Sequence, residues 1–116
     1  KINLTIINMN EEQKAIFEYL KTHALGYGNR KSSTQIREEL NLESGGATNE
    51  HVRDLIRELI LNHNACIGSL MWKDGYWIIQ TEEELDRVCR SLENRADAIR
   101  IRATALRNSW RTQHNG

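Results

Sequence analysis

The sequence predicts a mainly α fold with one small β-hairpin and one long C-terminal helix of coiled-coil type. Three observations carry this. Leu85, Cys89, Leu92, Ala96, Ile99, Ala103, Leu106 and Trp110 recur at steps alternating four and three, a heptad seam sustained for nearly four heptads. Ahead of the seam, capping residues mark successive helix starts. Between the third helix and the seam stands Asp74-Gly75, a dipeptide that supplies the positive backbone angles of a two-residue hairpin turn.

In chain order, Ile2, Leu4 and Ile6 alternate with polar neighbours and predict a short strand. Asn10 with Gln13 forms a capping box, so a helix starts at Glu11, with Ala15, Ile16, Tyr19 and Leu20 as its apolar face. Leu25-Gly26-Tyr27-Gly28-Asn29 breaks it. Ser32 with Gln35 is a second capping box, and Ile36 and Leu40 mark the core side of a short helix. Asn41 to Ala47, with Gly45-Gly46 inside, is a flexible turn. Thr48 caps a third helix whose stripe is Val52, Leu55, Ile56, Leu59 and Ile60, and which stops near Asn62 to Asn64. Cys66 to Trp72 and Tyr76 to Gln80 read as two strands around Asp74-Gly75. Thr81 with Glu84 opens the long helix, Glu82 to Thr112, which no proline interrupts. The order helix, short helix, turn, helix, hairpin is that of a winged helix-turn-helix. The chain divides into a winged helix-turn-helix domain at 1–80, a dimerisation helix at 81–112 and a frayed tail at 113–116.

The bulk properties bound the function. A chain of 116 residues holds one domain plus an appended element. Sixteen basic and sixteen acidic residues cancel, unlike a domain that binds nucleic acid through overall charge. Locally, residues 98–116 carry Arg100, Arg102, Arg107 and Arg111 and no acid. No apolar run reaches membrane-spanning length and no basic leader precedes an apolar segment, so no membrane partner is expected and the cytoplasm is the expected location. Cys66 and Cys89 sit inside apolar patterns and read as buried or seam thiols rather than a disulfide.

Val52-Arg53-Asp54-Leu55-Ile56-Arg57-Glu58-Leu59, Cys66-Ile67-Gly68-Ser69, Gly75-Tyr76-Trp77-Ile78, Glu83-Glu84-Leu85, Arg90-Ser91-Leu92 and Arg95-Ala96-Asp97-Ala98-Ile99 resemble a family of small phage-encoded and bacterial winged-helix proteins. The resemblance covers about half the chain well and the first two helices loosely. It implies DNA binding near phage replication or regulatory genes, in the host cytoplasm if phage-encoded. The hairpin departs from the family: Leu70-Met71-Trp72-Lys73-Asp74 is longer and more apolar than a short polar wing.

In such a fold the third helix enters the major groove. Opposite its core stripe lie Glu50, Asp54, Arg57, Glu58 and Leu61, with His51 and Arg53 flanking. Arg57 can reach guanine edges, and Thr48 and Asn49 at the helix start suit phosphate or base hydrogen bonds. Lys31 and Lys73 add phosphate contacts. The predicted partner is double-stranded DNA, read by Lys31, Thr48, Asn49, His51, Arg53, Arg57 and Lys73. The carboxylates on the same face repel phosphates, and Arg53, Asp54, Arg57 and Glu58 also fit a solvated face of helical ion pairs. The alternative is therefore a protein–protein adapter or inhibitor on the same scaffold. It would use the acidic helix and the aromatic hairpin residues Trp72, Tyr76 and Trp77, with no direct DNA contact.

The seam predicts an antiparallel homodimer. A parallel pair sets Arg95 against Arg100 and Arg102 against Arg107. An antiparallel pair sets Asp86 against Arg107 and Glu93 against Arg100, leaving Arg95 facing Arg102. Its two-fold axis falls near Ala96 and Asp97, with the two domains at opposite ends of the rod. Val88 and Ile101, apolar and off the seam, leave room for a tetramer or for folding back on the chain's own domain. No catalytic constellation appears, so no enzyme, cofactor or metal is expected. His63 and Cys66 lack a second ligand pair, Gly26-Tyr27-Gly28 lacks a preceding strand, Glu82-Glu83-Glu84 suits a helix start, and Ser32-Ser33 has no base at motif spacing.

Overall fold

The computed structural model describes residues 9–70 and 74–115. The strand expected at Ile2 to Ile6 and the hairpin residues Met71, Trp72 and Lys73 lie outside them. The described chain is mainly helical, with four α-helices and a two-stranded antiparallel sheet: α1 (Glu11–His23), α2 (Ser33–Leu40), α3 (Glu50–Asn62), β1 (Ile67–Gly68), β2 (Trp77–Ile78) and α4 (Glu82–Asn115). A single 3-10 turn, Tyr27–Asn29, lies between α1 and α2.

The first two helices start where their sequence dictates. Asn10 Oδ1 accepts from the Gln13 N–H at 2.7 Å while Gln13 Oε1 accepts from the Asn10 N–H at 3.0 Å. Ser32 and Gln35 repeat the exchange at 3.0 and 2.8 Å. Such caps satisfy backbone donors that no helix can pair internally. Asn41 ends α2 in the left-handed conformation (φ 55°), its N–H turned back to the carbonyls of Arg37 and Glu38.

The third start differs from expectation. Thr48 does not cap α3; Asn49 takes the cap position with a left-handed backbone (φ 57°) and makes no side-chain cap bond. The side chain of Asn49 reaches α2 instead, and Glu50 reaches back to Thr48. Val52, Leu55, Ile56 and Leu59 are buried as the stripe requires, but Ile60 is 42% exposed, because at about 100° per residue it stands about 90° from the centre of the other four.

The core is Ile16 and Leu20 of α1, Ile36 of α2, and Val52, Ile56 and Leu59 of α3, closed by Ile67 and Tyr76. Gln13 is buried with them and donates from Nε2 to Glu58 at 3.4 Å, a polar link between α1 and α3 that the apolar pattern did not mark. Glu58 is thereby half-buried rather than displayed on the outward face.

The sheet register corrects the hairpin. A two-residue turn at Asp74-Gly75 would put Gly68 opposite Thr81; it lies opposite Trp77, with Ile67 opposite Ile78. Pairing with the segment before α2 decides this. Tyr76 exchanges both backbone hydrogen bonds with Lys31 (2.8 and 2.9 Å), and Ile78 pairs on the same side with Ala24 and Gly26. Gly75 serves that approach: its φ is +111°, and a Cβ there would sit 2.7 Å from the Lys31 carbonyl oxygen. Gly68 likewise leaves room for the Trp77 indole, 2.8 Å from where a Cβ would stand.

α4 contains 34 residues and runs to Asn115, so residues 113–115 are helical rather than frayed. His114 stacks on Trp110 with ring centroids 3.6 Å apart and holds the last turn. At about 1.5 Å per residue the helix spans about 51 Å, and the longest dimension of the chain is 59 Å.

Its start is fixed to the domain by one carboxylate. The Thr81 hydroxyl accepts from the Glu84 N–H at 3.1 Å, as in a capping box, but Glu84 does not return the bond to Thr81. Its oxygens accept from the Gln80 N–H at 2.9 Å and the Tyr27 N–H at 3.1 Å. The Tyr27 ring lies between the Arg30 and Arg87 guanidiniums, 4.2 and 4.9 Å from its centroid, and edge-on to the buried Trp77 at 5.1 Å. Val88 is the one buried residue of α4 among those described. Both cysteines are exposed free thiols, so Cys66 is not the buried thiol its pattern suggested. No described helix is long and apolar enough to cross a membrane.

Two stability changes follow. Leu59→Ala empties a fully buried site and should cost about 2–5 kcal/mol in urea unfolding. The hydrogen bonds from Gln80 and Tyr27 hold the Glu84 carboxyl below the ordinary glutamate range. A folded pKa below the unfolded one gives stability that is present above about pH 4.3 and lost as pH falls through the lower folded value. Glu84→Gln should flatten that acid-side slope in a pH series of urea midpoints.

Candidate nucleic-acid interface

The six described residues among the seven expected to meet DNA divide between scaffold contacts and open surface. Asn49 is a scaffold residue. Its Nδ2 donates to Ser33 Oγ at 3.1 Å and Thr34 Oγ1 at 3.0 Å, and its Oδ1 accepts from Arg37 Nε at 3.1 Å. Ser33, Thr34 and Arg37 share one face of α2, and Asn49 fastens the start of α3 across it. The left-handed backbone at Asn49, which asparagine tolerates better than most residues, aims the side chain there. His51 also faces inward: its Nε2 lies 3.0 Å from Glu12 Oε1 and ties α3 to α1.

Thr48 and Arg53 form a second small network. The Thr48 hydroxyl donates to Glu50 Oε1 at 2.8 Å and accepts from Arg53 Nη1 at 3.0 Å. Arg53 also reaches the Tyr76 phenol, where burial pushes the phenol's pKa up and the guanidinium works against it. Tyr76 pairs through its backbone with Lys31, which is half-buried. Lys31, Tyr76, Arg53 and Thr48 thus run as a connected ridge from the sheet to the start of α3. Arg37, which holds Asn49, and Tyr76, within the ridge, were absent from the contacts expected at the DNA site. Arg37 was detectable in principle, since it stands four residues beyond Ser33 on the side of α2 that any following helix would meet.

Among the described candidates Arg57 is the one that stays on open surface. Its side chain is 66% exposed and pairs with Asp54 at 3.0 Å. The outward strip of α3 is Glu50, Asp54, Arg57 and Leu61, two acids to one base. The helix start, which would attract a phosphate by its unpaired N–H groups, already holds a carboxylate. Glu50 Oε1 accepts from the Thr48 N–H at 2.7 Å as well as from its hydroxyl, and these donors hold its pKa below the ordinary range. Lys73 lies outside the described residues.

The seam of α4 is exposed at every position except Ala103, which is half-buried. Leu92, Ile99, Leu106 and Trp110 are 53–67% accessible, and from Leu92 to Asn115 every residue except Ala103 is exposed. The helix does not fold back on its own domain beyond Ser91. Among the described residues no group of three potential metal ligands converges. No family model, curated protein or solved structure matches the chain.

Scaffold and surface separate experimentally. Asn49→Ala removes three hydrogen bonds from a partly buried junction and places alanine at a positive φ, and should cost about 1–3 kcal/mol in urea unfolding. Arg57→Ala, at an exposed ion pair, should change stability by less than about 0.5 kcal/mol.

Proposed function

We propose that the protein is a dimeric winged helix-turn-helix that binds duplex DNA through α3 and the hairpin, as a phage-type regulator or replication accessory without enzymatic activity. The observation that carries this reading is the mounting of α3. Its apolar side is packed on α1 and α2, its first turn is fastened to α2 by Asn49, and its opposite side is open over the whole length of the helix. A short helix clamped across the start of a longer, outward-facing one is the arrangement by which a helix-turn-helix presents its second helix to the major groove. The Lys31–Tyr76–Arg53 ridge sets basic groups beside that helix.

In this reading Arg57 reads a base edge after exchanging Asp54 for guanine, and Lys31 contributes to phosphate contact. Glu50 and Asp54 weaken attraction to the backbone, so each module binds modestly and the dimer compensates by effective concentration. A second reading is favoured by one observation: Leu61 is 72% exposed beside Ile60 at the end of α3. An apolar, mildly acidic strip suits a protein partner, and on that reading the scaffold is an adapter or inhibitor.

Electrophoretic shifts on duplex DNA decide between them. Arg57→Ala should weaken binding by about 1–3 kcal/mol. Glu50→Gln should tighten it by removing a charge beside the phosphates. Affinity should also fall steeply with added salt as counterions are released. Binding to duplex DNA that neither substitution alters would remove α3 from the interface.

A further inference from the structure

We infer that α4 pairs antiparallel with α4 of a second copy, with Ala96 layered against Ile99, and that this pairing carries both domains on the same face of the rod. The occupant of the seam is argued from charge, from the free flank of the helix and from length.

The helix is polarised. Residues 82–97 hold six acids (Glu82, Glu83, Glu84, Asp86, Glu93, Asp97) against three arginines, while residues 98–115 hold four arginines and no acid. A second copy running the other way sets the basic half of each chain on the acidic half of the other. The expected pairs Asp86–Arg107 and Glu93–Arg100 are sterically open. Among the described residues Asp86 pairs with Arg90 at 3.3 Å and Arg100 with Asp97 at 2.9 Å, both highly exposed. Exposed pairs contribute about 0.2–1 kcal/mol and exchange readily. Glu93 and Arg107 have no ion partner among the described residues.

The domain leaves the required flank free. The residues of α4 that meet it are Glu84, Arg87, Val88 and Ser91. At about 100° per residue, their side of the helix lies about 100° from the centre of the seam. It lies on the flank that carries Val88, Arg95 and Arg102, away from Asp86, Glu93, Arg100 and Arg107. The domain therefore blocks neither the seam nor the flank that forms the salt bridges. In this register Leu92, Ile99 and Leu106 meet the small residues Ala103, Ala96 and Cys89 across the pair, and Leu85 layers with Trp110 at each end.

The same angle fixes where the domains go. In an antiparallel pair the two-fold axis is normal to the plane of the two helices. A domain set about 90° from the seam is carried by that axis to the same side of the plane, displaced along the rod. The axis falls near Asp97 and each domain docks over residues 84–91, so the docking points are about 30 Å apart at 1.5 Å per residue. The two domains thus lie toward opposite ends of the rod, as the sequence reading expects, but on one face of it. The spacing is close to the 34–36 Å that separates half-sites one DNA turn apart. That use rests on the proposed DNA reading; the pairing itself does not.

Cysteine pairs read the register without DNA. In this pairing Cys89 of one chain layers with Leu106 of the other, while Cys89 and its own copy stand about 25 Å apart. In a Cys66→Ser background, a short bis-maleimide should give no covalent dimer from Cys89 alone. Leu106→Cys with Cys89→Ser should give none either. Leu106→Cys with Cys89 retained should give covalent dimer as the main product. A covalent dimer from either single cysteine means parallel pairing and overturns the inference, as does no dimer from any of the three. Spin labels on the exposed Cys66, with Cys89→Ser, should report one distance of about 30–45 Å; labels more than about 60 Å apart would overturn the same-face placement. If the cross-links form and no DNA is bound, the pairing stands and the DNA reading fails.

Discussion

The direction in which α4 leaves the domain depends on the hydrogen bonds of Glu84. One carboxylate accepts from the chain just before the helix and from the 3-10 turn at Tyr27. Trp77 lies beneath, buried, with Gly68 thinned to a hydrogen to admit it. Arg87 covers the other side of Tyr27. These contacts fix which side of α4 the domain occupies. All the geometry of the projecting helix is inherited from this joint, because beyond Ser91 the chain gives α4 no further support.

The two ends of the molecule manage charge in opposite ways. On α3 the acids are answered locally: Glu50 by Thr48, Asp54 by Arg57, and Glu58 by Gln13. The face stays mildly acidic and its arginines are engaged. On α4 the charge is segregated along the helix, and Glu93 and Arg107 have no ion partner among the described residues. Local neutralisation suits a surface that must choose among ligands, whereas segregation suits one that must recognise a complementary helix and its direction.

The helices were legible because their signals are local. The Asn10–Gln13 and Ser32–Gln35 boxes, the stripes of α1 and α3 and the seam of α4 all lie within a few residues of what they specify. The misreadings share a different cause. Asp74-Gly75 carries a strong turn signal, but the register was decided by Tyr76 pairing with Lys31, more than forty residues earlier in the chain. Asn49 and His51 look like surface polar residues at a helix start until α2 and α1 are brought against them. Among the described candidate contacts, only Arg57 sat where its helix position alone could place it. The roles of Arg37 and Tyr76 required the tertiary arrangement.

The unsupported length of α4 also has a thermodynamic consequence. Most of a helix's stability in a protein comes from packing its apolar face rather than from the propensity of its residues. From Leu92 onward α4 has only its own backbone bonds and a few side-chain contacts such as Trp110 on His114. The order of that half is therefore linked by mass action to whatever covers the seam. If a second copy covers it, helicity itself varies with protein concentration, and the melting of the rod is a bimolecular event while the melting of the domain is not.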